Sequence, residues 1–326
     1  AGFRAELVQA QRCGGEIVWM PAIWNLAAAV TWYCQFGYEN YFTIVGMYPE
    51  AAGKLLEVGG LHMNLAQAGV GPCVLLLHGF PDSLQLWREV APRLVAAGYR
   101  VVAVDQLGFG ESDAPAGRHH YVIDRLVGDA AVVLGELDVT DPVHVIGHDW
   151  GAVVAWCLAM LRPELLRSAV AISVGHPREY ALAGLEQKRK GLYVLGWQFT
   201  GLAERWLVAR DWSSLRHWLR QHPDPDACLR DLARPGRLTA GLNWYRANLG
   251  SVLTRSWPPC RVPMLGLWSS EDHCLAEDQM ARSARRMAAP WAYQRIEGAG
   301  HWLPLEHPER VAELAMNWFR RNDPSC

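Results

Sequence analysis

Gly147-His148-Asp149-Trp150-Gly151 constrains this chain more than any other stretch. It follows an apolar run at 143–146 and precedes a helix-compatible run at 152–161. A Gly-x-x-x-Gly frame between a strand and a helix marks a nucleophile elbow, a sharp turn that presents one side chain above the end of a buried strand. The presented residue here is aspartate, in the position where serine is usual. An aspartate nucleophile attacks carbon and forms an ester between enzyme and substrate. The motif therefore points to displacement at an sp³ carbon and away from ester or amide cleavage. Asp is also at home in ordinary tight turns, so the chemistry rests on what the rest of the chain supplies.

The surroundings of the elbow alternate between strand and helix. An apolar strand at 74–77 ends in His78-Gly79. A helix is expected over 84–97, a strand over 100–104 ending at Asp105, a helix over 121–137 and a strand over 168–174. The alternation resumes with strands at 263–267 and 291–296 and closes with a helix over 308–320. Strands that are apolar throughout and separated by helices indicate a parallel sheet covered on both faces. Residues 54–67 alternate loosely around Gly59-Gly60 and read as a β-hairpin. Between 177 and 257 there is no strand-like run. Trp, Arg and Leu recur there at helical spacing, with Pro223, Pro225 and Pro235 as breaks. The expected organisation is an N-terminal aromatic arm at 1–53, an α/β core from 54–176 and 258–326, and a helical cap at 177–257.

A chain of 326 residues, 51% hydrophobic, can bury one large α/β core. Its net charge of −2, without long runs of one sign, gives no surface for nucleic acid. Eight cysteines are scattered without CxxC or His/Cys metal spacing. Free thiols in a reducing cytosol are expected, with Cys73 and Cys157 in the core. From 17 to 38 no residue is charged, and Trp19, Trp24, Trp32, Tyr33, Phe36 and Tyr38 fall inside that stretch. Pro21, Asn25 and Gln35 interrupt it, and its aromatics suit an interface better than a hydrocarbon centre. It is a poor signal peptide. Residues 17–48 read as an amphipathic helical arm that packs on the protein, on a second copy in a homodimer, or on a membrane surface, with a transmembrane helix as the remaining alternative. Location is expected to be cytoplasmic, with peripheral membrane contact through that arm. Ala1 in place of Met points to a processed or trimmed start.

In parallel sheets, sites form at the carboxyl ends of the strands. Here those ends carry His78-Gly79-Phe80-Pro81, Asp105, Asp149, Asp272 and His301. The order nucleophile (149), acid (272), base (301) is that of an elbow triad. With 105–113 (Asp-Gln-Leu-Gly-Phe-Gly-Glu-Ser-Asp), Asn243-Trp244-Tyr245-Arg246 and Gly298-Ala299-Gly300-His301-Trp302, the chain from about 54 to its C-terminus resembles the α/β-hydrolase-fold epoxide hydrolases of the soluble type. The resemblance implies a mostly parallel central sheet with helices on both faces, an inserted helical cap, and hydrolysis of an apolar epoxide to a vicinal diol. It implies Asp149 as nucleophile, His301 as base and Asp272 as triad acid. Tyr245 and a second cap tyrosine would serve as acids toward the epoxide oxygen. Tyr193 fits that second place best, and Tyr180 is its alternative. The backbone N–H groups of Phe80 and Trp150 would hold the oxyanion, with Phe80-Pro81 in a cis peptide. His78, Pro81 and Trp302 are expected at the substrate pocket, and neither cofactor nor metal is implied. The sequence departs from the family pattern at Gln106, where Leu or Met is more common. It also departs at 268–272, where a glycine is common after the first apolar residue, and there Glu271 stands beside Asp272 as a rival acid.

Haloalkane and haloacid dehalogenases share the fold and the Asp-Trp elbow. They need N–H donors around a halide, and Phe80 stands where a halide-binding Asn is often found. The cap residues Trp206, Trp212 and Trp218 keep that alternative open, although packing or pocket wall suits them better. A non-catalytic ligand receptor on the same fold is the third reading, since fold alone does not establish catalysis. Such proteins tend to lose a triad member, and none is missing here.

Overall fold

A computed structural model describes residues 7–13, 16–21 and 54–323. Its centre is an eight-stranded sheet in the order β3-β4-β6-β5-β7-β8-β9-β10. The strands are β3 (Lys54–Val58), β4 (Leu61–Ala68), β5 (Cys73–Leu77), β6 (Arg100–Val104), β7 (Val143–His148), β8 (Leu166–Ile172), β9 (Met264–Ser269) and β10 (Trp291–Ile296). From β6 to β10 every pairing is parallel, while β3 and β4 form the expected antiparallel hairpin at one edge. The central strands β5, β7 and β9 are buried along their whole length, as continuous apolar runs require when both faces are covered. The edge strand β3 buries alternate residues only, so one of its faces meets water.

Helices α1 (Val90–Ala96), α2 (Ile123–Glu136) and α3 (Trp150–Leu161) connect the first parallel strands, and α12 (Pro308–Arg321) closes the chain. The step from β5 to β6 runs one way along the sheet, and the step from β6 to β7 runs the other way. Right-handed crossovers then place α1 on one face and α2 and α3 on the opposite face. The order reverses at β5, and a reversal of this kind opens a crevice at the carboxyl ends of the flanking strands. β5 leads to His78-Gly79-Phe80-Pro81 and β7 to Asp149, so both expected halves of the site stand at that crevice. The single helix expected over 84–97 is instead a 3₁₀ turn, Leu84–Trp87, followed by α1. Ser83 caps that turn by accepting from the Gln85 amide at 3.3 Å.

Between β8 and β9 lie only helices: α4 (Pro177–Ala181), α5 (Leu185–Lys190), α6 (Leu192–Trp197), α7 (Leu202–Trp218), α8 (Pro225–Leu232) and α9 (Arg237–Thr254). α7 is broken in its middle, where Arg210, Asp211 and Trp212 all take positive φ. α10 (Glu277–Ala281) and α11 (Leu303–Glu306) complete the described helices.

The N-terminal arm departs from expectation where it is described. β1 (Leu7–Cys13) pairs antiparallel with β2 (Glu16–Pro21), so 17–21 is strand and not helix. Ile17, Val18 and Trp19 are β-branched or aromatic and favour a strand locally. Residues 22–48 of the expected arm lie outside the described residues.

Candidate active site

The elbow is built by close approach of backbone. A Cβ on Gly151 would collide with the Leu77 carbonyl oxygen, and one on Gly147 with the Gly151 carbonyl. Only glycine lets β7, the turn and α3 come together this tightly. Between these glycines Asp149 sits at φ 52°, ψ −119°. A non-glycine residue there is strained, and such strain is held by the structure around it.

The Asp149 carboxylate accepts from the Phe80 amide at 2.9 Å and from the Trp150 amide. These are the two donors expected for an oxyanion, and both meet on the same group. Burial pushes the Asp149 carboxyl up to about 6, against the pull of His301 and of the two amides. His301 is fully buried and lies with Nε2 3.9 Å from Asp149 Oδ2. Its Nδ1 bonds Asp272 Oδ2 at 2.8 Å. Asp272 Oδ1 in turn accepts from the amides of Cys274 (2.8 Å) and Leu275 (2.9 Å). Burial would raise the Asp272 carboxyl, but His301 and these donors hold it below its usual value. Burial likewise disfavours an imidazolium at His301, yet Asp272 and Asp149 raise it to about 9. Nε2 of His301 has no hydrogen-bond partner among the described residues. It is the one ring nitrogen left to meet a water or substrate. Glu271, the rival acid, is exposed, and Asp272 alone reaches the imidazole.

Asp149 opens into a cavity of about 580 Å³, counted with its mouth. Tyr180, Tyr193 and Tyr245 all line it, among apolar groups such as Val153, Val194 and Leu249. Tyr193 and Tyr245 pack ring to ring at 6.3 Å. Burial first, with nearby acidic groups adding to it, raises both phenols well above their ordinary value. Tyr180 is raised to about 12, mainly by burial. The Tyr245 hydroxyl is buried beside the Trp150 side chain, whose hydrogen bonding opposes the rise. Each neighbour of Tyr245 in its motif has a separate task. Asn243 donates to the Ala116 carbonyl at 3.2 Å and Trp244 to the Leu107 carbonyl at 2.9 Å. Arg246 donates to the Trp197 carbonyl at 2.8 Å and grips Glu204 through two nitrogens at 2.7 and 3.0 Å. The motif thus ties α9 to the core on one side and to α6 and α7 on the other.

His78, Pro81 and Trp302 are buried but are not among the residues lining this cavity. Both ring nitrogens of His78 are already used: Nδ1 bonds the Gly79 carbonyl and Nε2 accepts from the Gln106 amide, each at 2.9 Å. The Gln106 side chain also donates to the His78 carbonyl, which gives this unusual residue a structural task. Asp105, a candidate by position, accepts from the Leu84 amide (2.7 Å), the Glu111 amide (2.9 Å) and the Asn64 side chain (2.7 Å). Its carboxylate fixes loops and does not face the cavity. Phe80 and Pro81 are joined by the expected cis peptide.

Some residues of the site carry no local sequence signal. Asp82 accepts from Trp302 Nε1 through Oδ2 and from His222 Nε2 through Oδ1, each at 3.0 Å. It therefore joins the loop of Phe80, the loop of His301 and the cap. Cys228 lies 3.4 Å from His222 Nε2, so three metal-ligating residue types cluster here. However, the Asp224 amide donates to Nδ1 of His222 at 2.9 Å. Nε2 must then carry the ring proton and give it to Asp82, leaving no lone pair for a metal. Trp218 packs against Phe80 (5.7 Å), Tyr193 (5.6 Å) and Trp302 (5.7 Å) as an aromatic wall.

A family model described as alpha/beta hydrolase fold matches residues 72–308. The chain is 32% identical to AB hydrolase superfamily protein YfhM of Bacillus subtilis, over 82% of this chain and 97% of that protein. It is 31% identical to Epoxide hydrolase A of Mycobacterium tuberculosis, over 82% of this chain and 96% of that protein. Among solved structures, Epoxide Hydrolase A from Mycobacterium thermoresistibile superposes with a TM-score of 0.71 at 27% identity, covering 83% of this chain and 99% of its own.

Proposed function

The chain belongs to the α/β-hydrolase fold family and is an epoxide hydrolase; on that premise we propose that Asp149 opens the epoxide and that His301 directs hydrolysis of the resulting ester. The observation that carries this reading is that Asp149, Tyr193 and Tyr245 line one cavity, with the free Nε2 of His301 standing 3.9 Å from Asp149. We place the catalytic groups on the core at 54–176 and 258–326, and the phenols on the cap at 177–257.

In the first step an Asp149 oxygen bonds an epoxide carbon, and that carbon's bond to the ring oxygen breaks. The oxygen takes a proton from a phenol of Tyr193 or Tyr245, which stay protonated at neutral pH. Before this step the Asp149 charge helps keep His301 protonated. Esterification removes that charge, so the imidazole loses one of the groups that raise it and can pass its proton to the phenolate, which frees Nε2 to accept one from water. In the second step Nε2 takes a proton from water, and the hydroxide adds to the ester carbon. The oxyanion forms where the Phe80 and Trp150 amides already point, and such a donor contributes roughly 3 kcal/mol. Collapse releases the diol and restores the carboxylate. Of the two water protons, one ends on the diol and the other stays on Nε2, which restores the imidazolium. Asp272 holds the imidazole in the tautomer that presents Nε2.

His301→Gln leaves alkylation intact and stalls ester hydrolysis. Intact-mass spectrometry after addition of an apolar aryl epoxide should show protein plus one epoxide. An unmodified mass, with diol still formed at the ordinary rate, would refute the covalent route. Release of halide from a haloalkane in place of diol formation would favour the dehalogenase alternative.

A further inference from the structure

The cap has a second apolar side that the cavity does not use. Leu185, Leu192, Leu195, Phe199, Leu202 and Trp206 follow one another at spacings of seven, three and four residues, and each is more than half exposed. This spacing normally marks a face turned to a core. Here the same helices already bury their other side through Val194, Trp197, Ala203 and Leu207. On α6, Tyr193 and Val194 line the cavity while Leu192 and Leu195 face outward. The cavity wall is therefore one helix thick, and its exterior is apolar.

The charges beside this stripe are unbalanced. Its three acids are all matched: Glu186 by Lys190, Glu204 by Arg246 and Asp211 by Arg216. Lys188, Arg189, Arg205 and Arg210 are exposed, and none of them forms an ion pair among the described residues, whereas Lys190, Arg216 and Arg246 do.

We propose that this side of the cap docks on an anionic lipid surface, from which an apolar epoxide reaches the cavity across α6. Leu, Phe and Trp beside Lys and Arg is the composition of a segment lying in a membrane interface. A second copy of the chain would bring the same unpaired cations face to face across a twofold contact. The chain's own uncharged stretch at 17–38 would cover the apolar groups but leave the cations unmatched. Lipid phosphates match both features. No helix among the described residues is long and apolar enough to cross a membrane, so the contact is peripheral. The substrate part of this proposal rests on the epoxide hydrolase reading; the docking part does not.

The test uses the full chain with phosphatidylcholine vesicles, with and without phosphatidylglycerol. The protein should sediment with the phosphatidylglycerol vesicles and release as salt rises. Phe199→Ser with Trp206→Ser should weaken that partition about tenfold or more. Lys188→Gln, Arg189→Gln and Arg205→Gln together should weaken it about a hundredfold, at about fivefold per cation. Both variants should keep the wild-type kcat/KM for a water-soluble epoxide, because none of these side chains reaches the cavity. Loss of that activity in the wild-type chain would count against the enzymatic reading and leave the docking result standing. Amide hydrogen exchange should slow across 185–206 when vesicles are added. The proposal is overturned if both variants partition like wild type, if protection is confined to the first 53 residues, if the variants change solution mass instead of vesicle binding, or if the wild-type chain ignores phosphatidylglycerol.

Discussion

Asp149 carries its charge in a place that resists it. Burial raises its carboxyl to about 6, so the proposed nucleophile is ionised at neutral pH and lost just below it. Single-turnover alkylation should therefore fall about tenfold per unit as pH drops through and below about 6. Rapid-quench measurement across that range checks this, and a rate that is flat down to pH 4.5 would contradict it. The two phenols titrate far above neutrality and set no limb near it. Replacing Tyr193 and Tyr245 with Phe should slow alkylation by about 10²- to 10⁴-fold. Stability should change by no more than about 1 kcal/mol, the worth of the contact between the Tyr245 hydroxyl and the Trp150 side chain. These roles follow from residue chemistry, yet the choice of Tyr193 over Tyr180 does not. Both line the cavity, and both are reached only through packing.

Among the elements, α9 depends on one buried ion pair. The Arg246 side chain is fully buried and holds Glu204 of α7 and the carbonyl that ends α6. Although burial opposes its charge, Glu204 is lowered to about 2 by Arg246 and by local amides. Its folded-state value lies below the unfolded one. The pair therefore stabilises at neutral pH, and that contribution is lost as pH falls from about 4.5 toward about 2. Arg246→Met should cost about 1–3 kcal/mol, because it leaves the Trp197 carbonyl without this donor and Glu204 with only the Gly201 amide and the Thr239 hydroxyl. A urea midpoint that falls without a change in slope would report this. Adding Glu204→Gln should recover part of the loss. The sequence shows Arg246 beside Tyr245; its partner, forty-two positions earlier, becomes visible only in the fold.

At the scale of the whole molecule, cap and core share one hydrophobic cluster, which runs from the sheet through Phe80 and Tyr245 to Trp197 and Leu215. Asp82 adds a polar tie, bonding His222 of the cap and Trp302 of the core from one carboxylate. Unfolding of the described fold should thus be a single calorimetric transition. Asp82→Ala leaves two buried N–H groups unpaired, at about 1–3 kcal/mol each, and should lower the transition temperature by several degrees. Two separated transitions in the wild-type chain would show that cap and core melt independently.

The parallel sheet, the sharp turn at 147–151 and the run of helices between β8 and β9 were all legible in the sequence. Each rests on local chemistry: apolar runs that must be buried on both faces, glycines that permit close backbone approach, and turn residues at the strand ends. Tertiary structure decided what depends on contacts between distant segments. It used His78 and Asp105 to fix loops, set Glu271 in solvent and Asp272 on the imidazole, and made Asp82 the joint between cap and core. It also turned one side of a helical pattern outward, where spacing alone would have placed it in the core. Periodicity tells which residues share a face; only the arrangement of the neighbouring elements determines what that face meets.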